Sequence, residues 1–232
     1  DPNYDYLGNS FNYYLRSESN DKPNQGYENS VVSAGIGTSF KQYKDLTASI
    51  GTGFTYDDLR TLDSASSSLK KQSGEFTELT ANYGFSYDKR NRAFMPTGGG
   101  ITNFSQVLPI FADSSYISNT FSHSAYKSFN ENVVGAGKFY FSAINGLGSD
   151  DVRLSKRRNL SSKRLRGFER GKVGPLDGDD HIGGNYAASL NFEANLPNLL
   201  PEDTNTDFGA FLDFGSEIGR AHVWTPVTQW SR

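Results

Sequence analysis

The chain has 232 residues, a net charge of −3, no Cys, one Met, 24 Gly, 13 Tyr and 17 Phe. Zero Cys excludes a disulfide scaffold and a Cys-ligated zinc site, and the near-neutral charge gives no global case for nucleic acid. Mean hydropathy is −0.59 and no apolar run approaches the ~20 residues of a membrane-spanning helix. A transmembrane β-barrel escapes that test, because every second residue of its strands faces a polar interior. The chain opens on Asp1-Pro2-Asn3 without a signal peptide, which reads as a removed start or a fragment.

In chain order, the first periodic segment is Leu7–Arg16. Leu7, Asn9, Phe11, Tyr13 and Leu15 share one face, and a polar loop is expected from Ser17 to Gly26. Val32–Lys41 and Leu46–Tyr56 follow, with apolar residues at alternate positions and small or polar ones between. A Ser- and Lys-rich loop, Leu59–Gly74, precedes Glu78–Asp88. There Leu79, Ala81, Tyr83, Phe85 and Tyr87 oppose Glu78, Asn82 and Asp88. Two segments of mixed alternation, Ile101–Leu108 and Tyr116–Lys127, are read as strands from their neighbours. Val133–Asn145 restores the pattern, then Tyr186–Asn195 and Phe208–Gly215 close it. Period-two alternation over ten or so residues predicts β-strands, and a soluble sandwich normally uses shorter ones of ~5–6 residues.

Nine consecutive strands without a helix-period segment predict an all-β, antiparallel up-and-down meander. Connections at 17–27, 59–73 and 146–184 are long, whereas those at 42–45 and 129–132 are short. Long loops on one side and short turns on the other is the pattern of an outer-membrane barrel. The short interval Pro109–Ser114 is an exception on the long-loop side. Leu79, Tyr83, Phe85, Phe139, Phe141, Leu190 and Phe192 should face lipid. Glu78, Asn82, Lys138, Asn191 and Glu193 should face the lumen, with Asp213 on the same side. A soluble β-sandwich is the alternative.

The interval 146–184 is too long for a structureless loop in a compact domain unless it has a role. It begins with a basic run (Arg153, Lys156, Arg157, Arg158, Lys163, Arg164, Arg166) and turns to glycine and acid (Asp177, Gly178, Asp179, Asp180). At its centre, Arg166-Gly167-Phe168 allows a tight turn with a guanidinium fork on one side and an aromatic anchor on the other. A solvated surface loop is the plainer reading. The basic run lacks the interleaved aromatics of a nucleic-acid site, and on an extracellular loop it could meet lipopolysaccharide phosphates.

Four motifs now stand in order: Asp88 through Arg92 to Pro96-Thr97-Gly98; Arg166-Gly167-Phe168 with Gly174-Pro175; Gly183-Gly184-Asn185 opening a strand; and Phe211-Leu212-Asp213-Phe214-Gly215. Together they resemble the barrel of the BamA outer-membrane assembly-factor family, over about residues 1–216. The resemblance implies part, about nine strands, of a barrel of roughly sixteen strands, within the range of outer-membrane barrels. It also implies that the long loop folds back into the lumen, where Arg166 meets carboxylates of the wall. Strand parity independently puts Glu193 and Asp213 on that wall, on the two strands after the loop.

The function implied is folding and inserting β-barrel proteins into the bacterial outer membrane. Partners would be unfolded barrel clients, assembly-complex lipoproteins and outer-membrane lipid, with no nucleic acid and no cofactor. Alternatives are a secretion or translocation pore of the same superfamily and a passive porin. An enzyme is not expected: His123 and His181 fall in no Ser/His/Asp or metal-spaced cluster, and Asp177–Asp180 lacks a calcium-loop spacing. From Ile218 the alternation stops. Back-translation of Ile218–Thr228 can yield a common sequencing-adapter oligonucleotide if TGA is read as Trp, so 217–232 is read as a non-native tail.

Overall fold

The computed structural model describes residues 8–148, 151–196 and 208–219. Nine long strands form one antiparallel sheet in chain order: β1 (Ser10–Lys22), β2 (Tyr27–Tyr43), β3 (Leu46–Thr61), β4 (Gly74–Asp88), β5 (Gly98–Ala112), β6 (Tyr116–Asn130), β7 (Val133–Gly146), β10 (Tyr186–Leu196) and β11 (Phe208–Ile218). Between β7 and β10, the long loop carries a small hairpin of its own, β8 (Leu176–Asp177) and β9 (Asp180–His181). The sheet runs from β1 to β11 without those two strands pairing to each other, so it is an open meander. Among the described residues the only α-helix is α1 (Ser67–Lys70), and no helix is long and apolar enough to cross a membrane.

The period-two pattern converts directly into two faces. Tyr186, Leu190 and Phe192 of β10 pair with Ala143, Phe139 and Gly137 of β7, and Leu190 and Phe192 with Phe214 and Leu212 of β11. These residues make one outward band, on which Phe85, Phe139, Phe141, Leu190, Phe192, Leu212 and Phe214 are exposed. Leu79 and Tyr83 share this face and are half-buried by their neighbours. The inner face carries Glu78, Lys138, Asn191, Glu193 and Asp213; Glu78 and Asn191 are buried and Asn82 is open.

The strands outrun their alternation. β2 has 17 residues and β3 has 16, whereas crossing a bilayer takes ~9–11. The loop expected at Ser17–Gly26 is therefore mostly strand. β1 and β2 stay paired up to Lys22↔Tyr27, and the connection is a tight 3-10 turn, Pro23–Gln25, closed by Gly26 in the left-handed region. Polar side chains there signalled water rather than unpaired backbone: above the lipid an outward polar residue costs nothing, and the ladder continues. Likewise, Pro109 lies within β5, opposite Thr80 beside a register shift, a position proline tolerates.

The core lies inside the sheet, and the long loop supplies much of it. Leu154 packs with Tyr27, Leu59, Ala65 and Leu69; Val152 with Tyr116 and Ile144; and Leu160, Leu165 and Val173 with Ala187, Tyr140 and Phe168. The inner wall is mostly polar and small, and its few apolar side chains, Tyr27, Leu59, Tyr116 and Ile144 among them, are covered by the loop's aliphatic residues.

Candidate functional site

The loop after β7 is held in shape by local devices. A 3-10 turn spans Leu154–Lys156. Arg158 and Gly184 exchange backbone hydrogen bonds (2.7 and 2.9 Å) that pin the loop's two arms together. Gly184 must be glycine, because a Cβ there would lie 2.7 Å from the carbonyl oxygens of Ile218 and Tyr186. Asn185 accepts the amide of Ile144 at 2.8 Å, joining the strand-opening motif to β7. The acid-and-glycine stretch is the turn of the β8–β9 hairpin, with Gly178 at φ 66°.

Arg166 points at the wall formed by β10 and β11. Its Nε and Nη2 donate to Oδ2 and Oδ1 of Asp213 at 2.7 and 2.6 Å, and its backbone amide donates to Oδ2 at 3.0 Å. Its Nη1 lies 3.1 Å from Oε1 of Glu193. The register shows how one guanidinium reaches both: Asp213 faces Asn191, and Glu193 faces Phe211, two positions along β11. The fork spans that diagonal while its plane lies on the Phe211 ring, 3.8 Å from the centroid. Charge-assisted bidentate pairing of this kind is worth about twice a neutral hydrogen bond. Asp213 raises the Arg166 pKa by accepting from it. Lys138 binds the other oxygen of Glu193 at 2.5 Å, and Asn191 donates to Asp213 at 2.8 Å.

The rest of the motif serves the same turn. Gly167 has φ 84° and Phe168 packs on the Leu160–Leu165–Val173–Ala187 cluster. Gly174 has φ 99°, and a Cβ on it would lie 2.8 Å from Cβ of Glu217. Pro175 accepts the Ile182 amide at 3.0 Å. Glu217 is buried and caps the Leu160 amide at 2.6 Å. Here the boundary at 217 needs correction: Glu217 and Ile218 belong to β11, with Ile218 opposite Tyr186. Residues 220–232, and the connection Pro197–Thr206, lie outside the described residues.

The basic run is also turned inward, not toward solvent. Arg153 donates to Oε2 of Glu78 at 2.7 Å, lies 3.8 Å from Asp57 and sits over the Phe76 ring. Lys156 reaches Oε1 of Glu78 at 2.5 Å. Arg158 hydrogen-bonds Ser118, and Arg164 stacks 3.5 Å from the centre of Tyr140. Burial pushes the pKa of both guanidiniums down. Lys163 remains exposed. Sequence reasoning singled out Glu78 as a lumen residue but missed Asp57, Ser155 and Tyr116 around it. Asp57 continues the inward parity of β3 one residue past the visible alternation, and that was the available signal.

An antiparallel, outward-apolar meander whose lumen holds a clasped loop defines a class, the outer-membrane barrel with an inserted loop. The Omp85 superfamily domain model matches residues 1–227, and the chain belongs to the Omp85 superfamily. It is a membrane-spanning sheet of the bacterial outer membrane. It is similar to the outer membrane protein assembly factor BamA of Neorickettsia risticii, 24% identical over 86% of this chain and 28% of that protein. It also resembles a SAM50-like protein of Schizosaccharomyces pombe, 28% identical over 70% of this chain and 35% of that one. The human sorting and assembly machinery component 50 homolog is 25% identical over 57% of this chain. The crystal structure of BamA from Haemophilus ducreyi lacking POTRA domains 1-3 superposes with a TM-score of 0.80 at 21% identity, covering 94% of this chain and 48% of that one; this likeness shows the fold. The chain spans about a third of the length of the curated relatives it matches.

Proposed function

We propose that this sheet is the loop-bearing part of a non-enzymatic barrel that folds and inserts β-barrel proteins into the outer membrane. The observation that carries the reading is the Arg166 fork on Asp213 and Glu193, which seats a loop across the lumen of a superfamily barrel. The relatives named as assembly factors support it. A lumen filled by Val152, Leu154, Leu160, Leu165 and Val173 favours it over an open porin. Clients would be unfolded outer-membrane barrels, paired edge to edge with unpaired strands of the complete barrel; lipoproteins would assist. The latched loop braces the wall from inside while that edge works.

The test uses the full-length protein in cells. Arg166→Ala should lower the yield of folded client barrels by about tenfold, the effect of ~1.4 kcal/mol on a rate. Arg166→Lys should restore part of it, since a point charge cannot form the fork, and Lys163→Ala should change nothing. Equal client yields in Arg166→Ala and Lys163→Ala would sink the reading.

A further inference from the structure

The loop is clasped twice, by related ion pairs at two separate places on the wall, a bidentate fork at Arg166 and a single hydrogen bond plus a 3.8 Å approach at Arg153. At each end one guanidinium meets two carboxylates on neighbouring strands: Arg166 with Glu193 and Asp213 on β10 and β11, and Arg153 with Asp57 and Glu78 on β3 and β4. The second site is the more enclosed. Arg153 and both its carboxylates are no more than 5% exposed; at the other site Asp213 is equally buried at 3%, but Arg166 is 28% and Glu193 18% exposed. Every carboxylate oxygen there has a donor. Asn29 and Ser155 serve Asp57 at 2.7 and 2.6 Å; Arg153, Lys156 and Tyr116 serve Glu78 at 2.7, 2.5 and 3.3 Å. Apolar packing flanks it on both sides, through Leu154 and Val152, and the Leu154 amide donates to Gln72 at 3.0 Å.

We infer that Arg153 is the positioning residue of the loop: its clasp on Asp57 and Glu78 is the fixed root, and the Arg166 clasp is a latch that depends on it. Opening the root exposes two carboxylates and a guanidinium that the loop had buried, whereas opening the latch uncovers one buried carboxylate, Asp213, and releases a guanidinium and a Glu193 already near water. The coupling free energy is reciprocal, but the occupancies respond unequally: a root that is closed nearly all the time stays closed when the latch opens, whereas the latch needs the root docked. With the root docked, Arg166 is presented by a short arm braced by the Arg158–Gly184 bridge. With the root free, the whole loop must be closed by the latch alone, at a higher entropic cost.

The test reads seating by crosslinking in full-length protein held in outer-membrane vesicles, with no client involved, so it can fail while the assembly reading stands. Ser68→Cys with Asp177→Cys reports the β3–β4 side, where the two wild-type side chains are hydrogen-bonded. Leu165→Cys with Gly215→Cys reports the β11 side, where Leu165 lies 3.2 Å from the Cβ position of Gly215. Arg153→Met should lower the crosslinking rate at both pairs by about threefold or more, beyond the ~0.6 kcal/mol of a doubled loop. Arg166→Met should lower it at the 165–215 pair alone. Folding is checked by heat-modifiable mobility; if Arg153→Met does not fold, Ser155→Ala, which removes one donor to Asp57, should act in the same direction. Wild-type crosslinking at 165–215 in Arg153→Met or Ser155→Ala would overturn the inference. So would an equal loss at both pairs in Arg166→Met.

Discussion

The two ends of the loop share a motif and differ in solvent. At the Arg166 end, a fork, two carboxylates and a competing Lys138 sit where water reaches the guanidinium. At the Arg153 end, aliphatic packing and five donors close around Glu78 and Asp57. The same ion pair is therefore worth different amounts. A surface or half-open pair contributes little because water competes for both partners. A buried pair contributes little net but is costly to break singly, since the orphaned charge has nowhere to go. Similar chemistry thus makes a root in one place and a latch in the other.

Breaking the comparison at its strongest point gives the largest effect. Glu78→Gln leaves Arg153 and Lys156 facing a neutral amide in a buried site, and should cost about 3–5 kcal/mol. Asp213→Asn, at the wetter end, should cost about 1.5–3 kcal/mol. Urea midpoints of heat-modifiability in the full-length barrel compare the two, and the order should be Glu78→Gln first.

A smaller effect separates backbone from charge. Gly174→Ala would place a Cβ 2.8 Å from Glu217 at φ 99°, for roughly 1–3 kcal/mol of strain. Its urea midpoint should fall although both clasps keep all their charges.

Salt should give the smallest and most selective effect. Raising ionic strength from 0.1 to 1 M shortens the Debye length from ~10 to ~3 Å. Crosslinking at 165–215 should decline, and crosslinking at 68–177 should hold, because screening acts on the partly exposed Arg166 rather than on the enclosed Arg153.

Much of this architecture was legible in the chain. The alternation of Leu79–Tyr87 and Tyr186–Ala194 carries strand and face together, because one period of two decides both; strand length and the alternation of long and short connections carried the membrane reading. The latch was legible only in part. Arg166-Gly167-Phe168 marks the loop's turn, and parity puts Glu193 and Asp213 on the inner wall, but that the loop folds back to join them was implied by the family resemblance alone. The root was not legible. Arg153 is one of several basic residues in its run, and nothing local says which of them will meet Glu78. Asp57 lies just beyond the point where the outward face of β3 turns polar, and Glu217 in a stretch read as tail is a buried cap for Leu160.

What the sequence determined by itself is the sheet. Side-chain period acts over neighbours, so seven of the nine strands and their faces follow from local pattern, and the two of mixed alternation follow from their place in the meander. The structure alone decided where strands stop, as in Ser17–Lys22, since backbone pairing above the lipid is indifferent to side-chain polarity. It alone decided the loop's path too. That path rests on contacts as distant in the chain as Arg153 with Glu78 and Arg166 with Asp213. Such pairs form only when the wall has curved and the desolvation of each charge is offset by a partner from another strand.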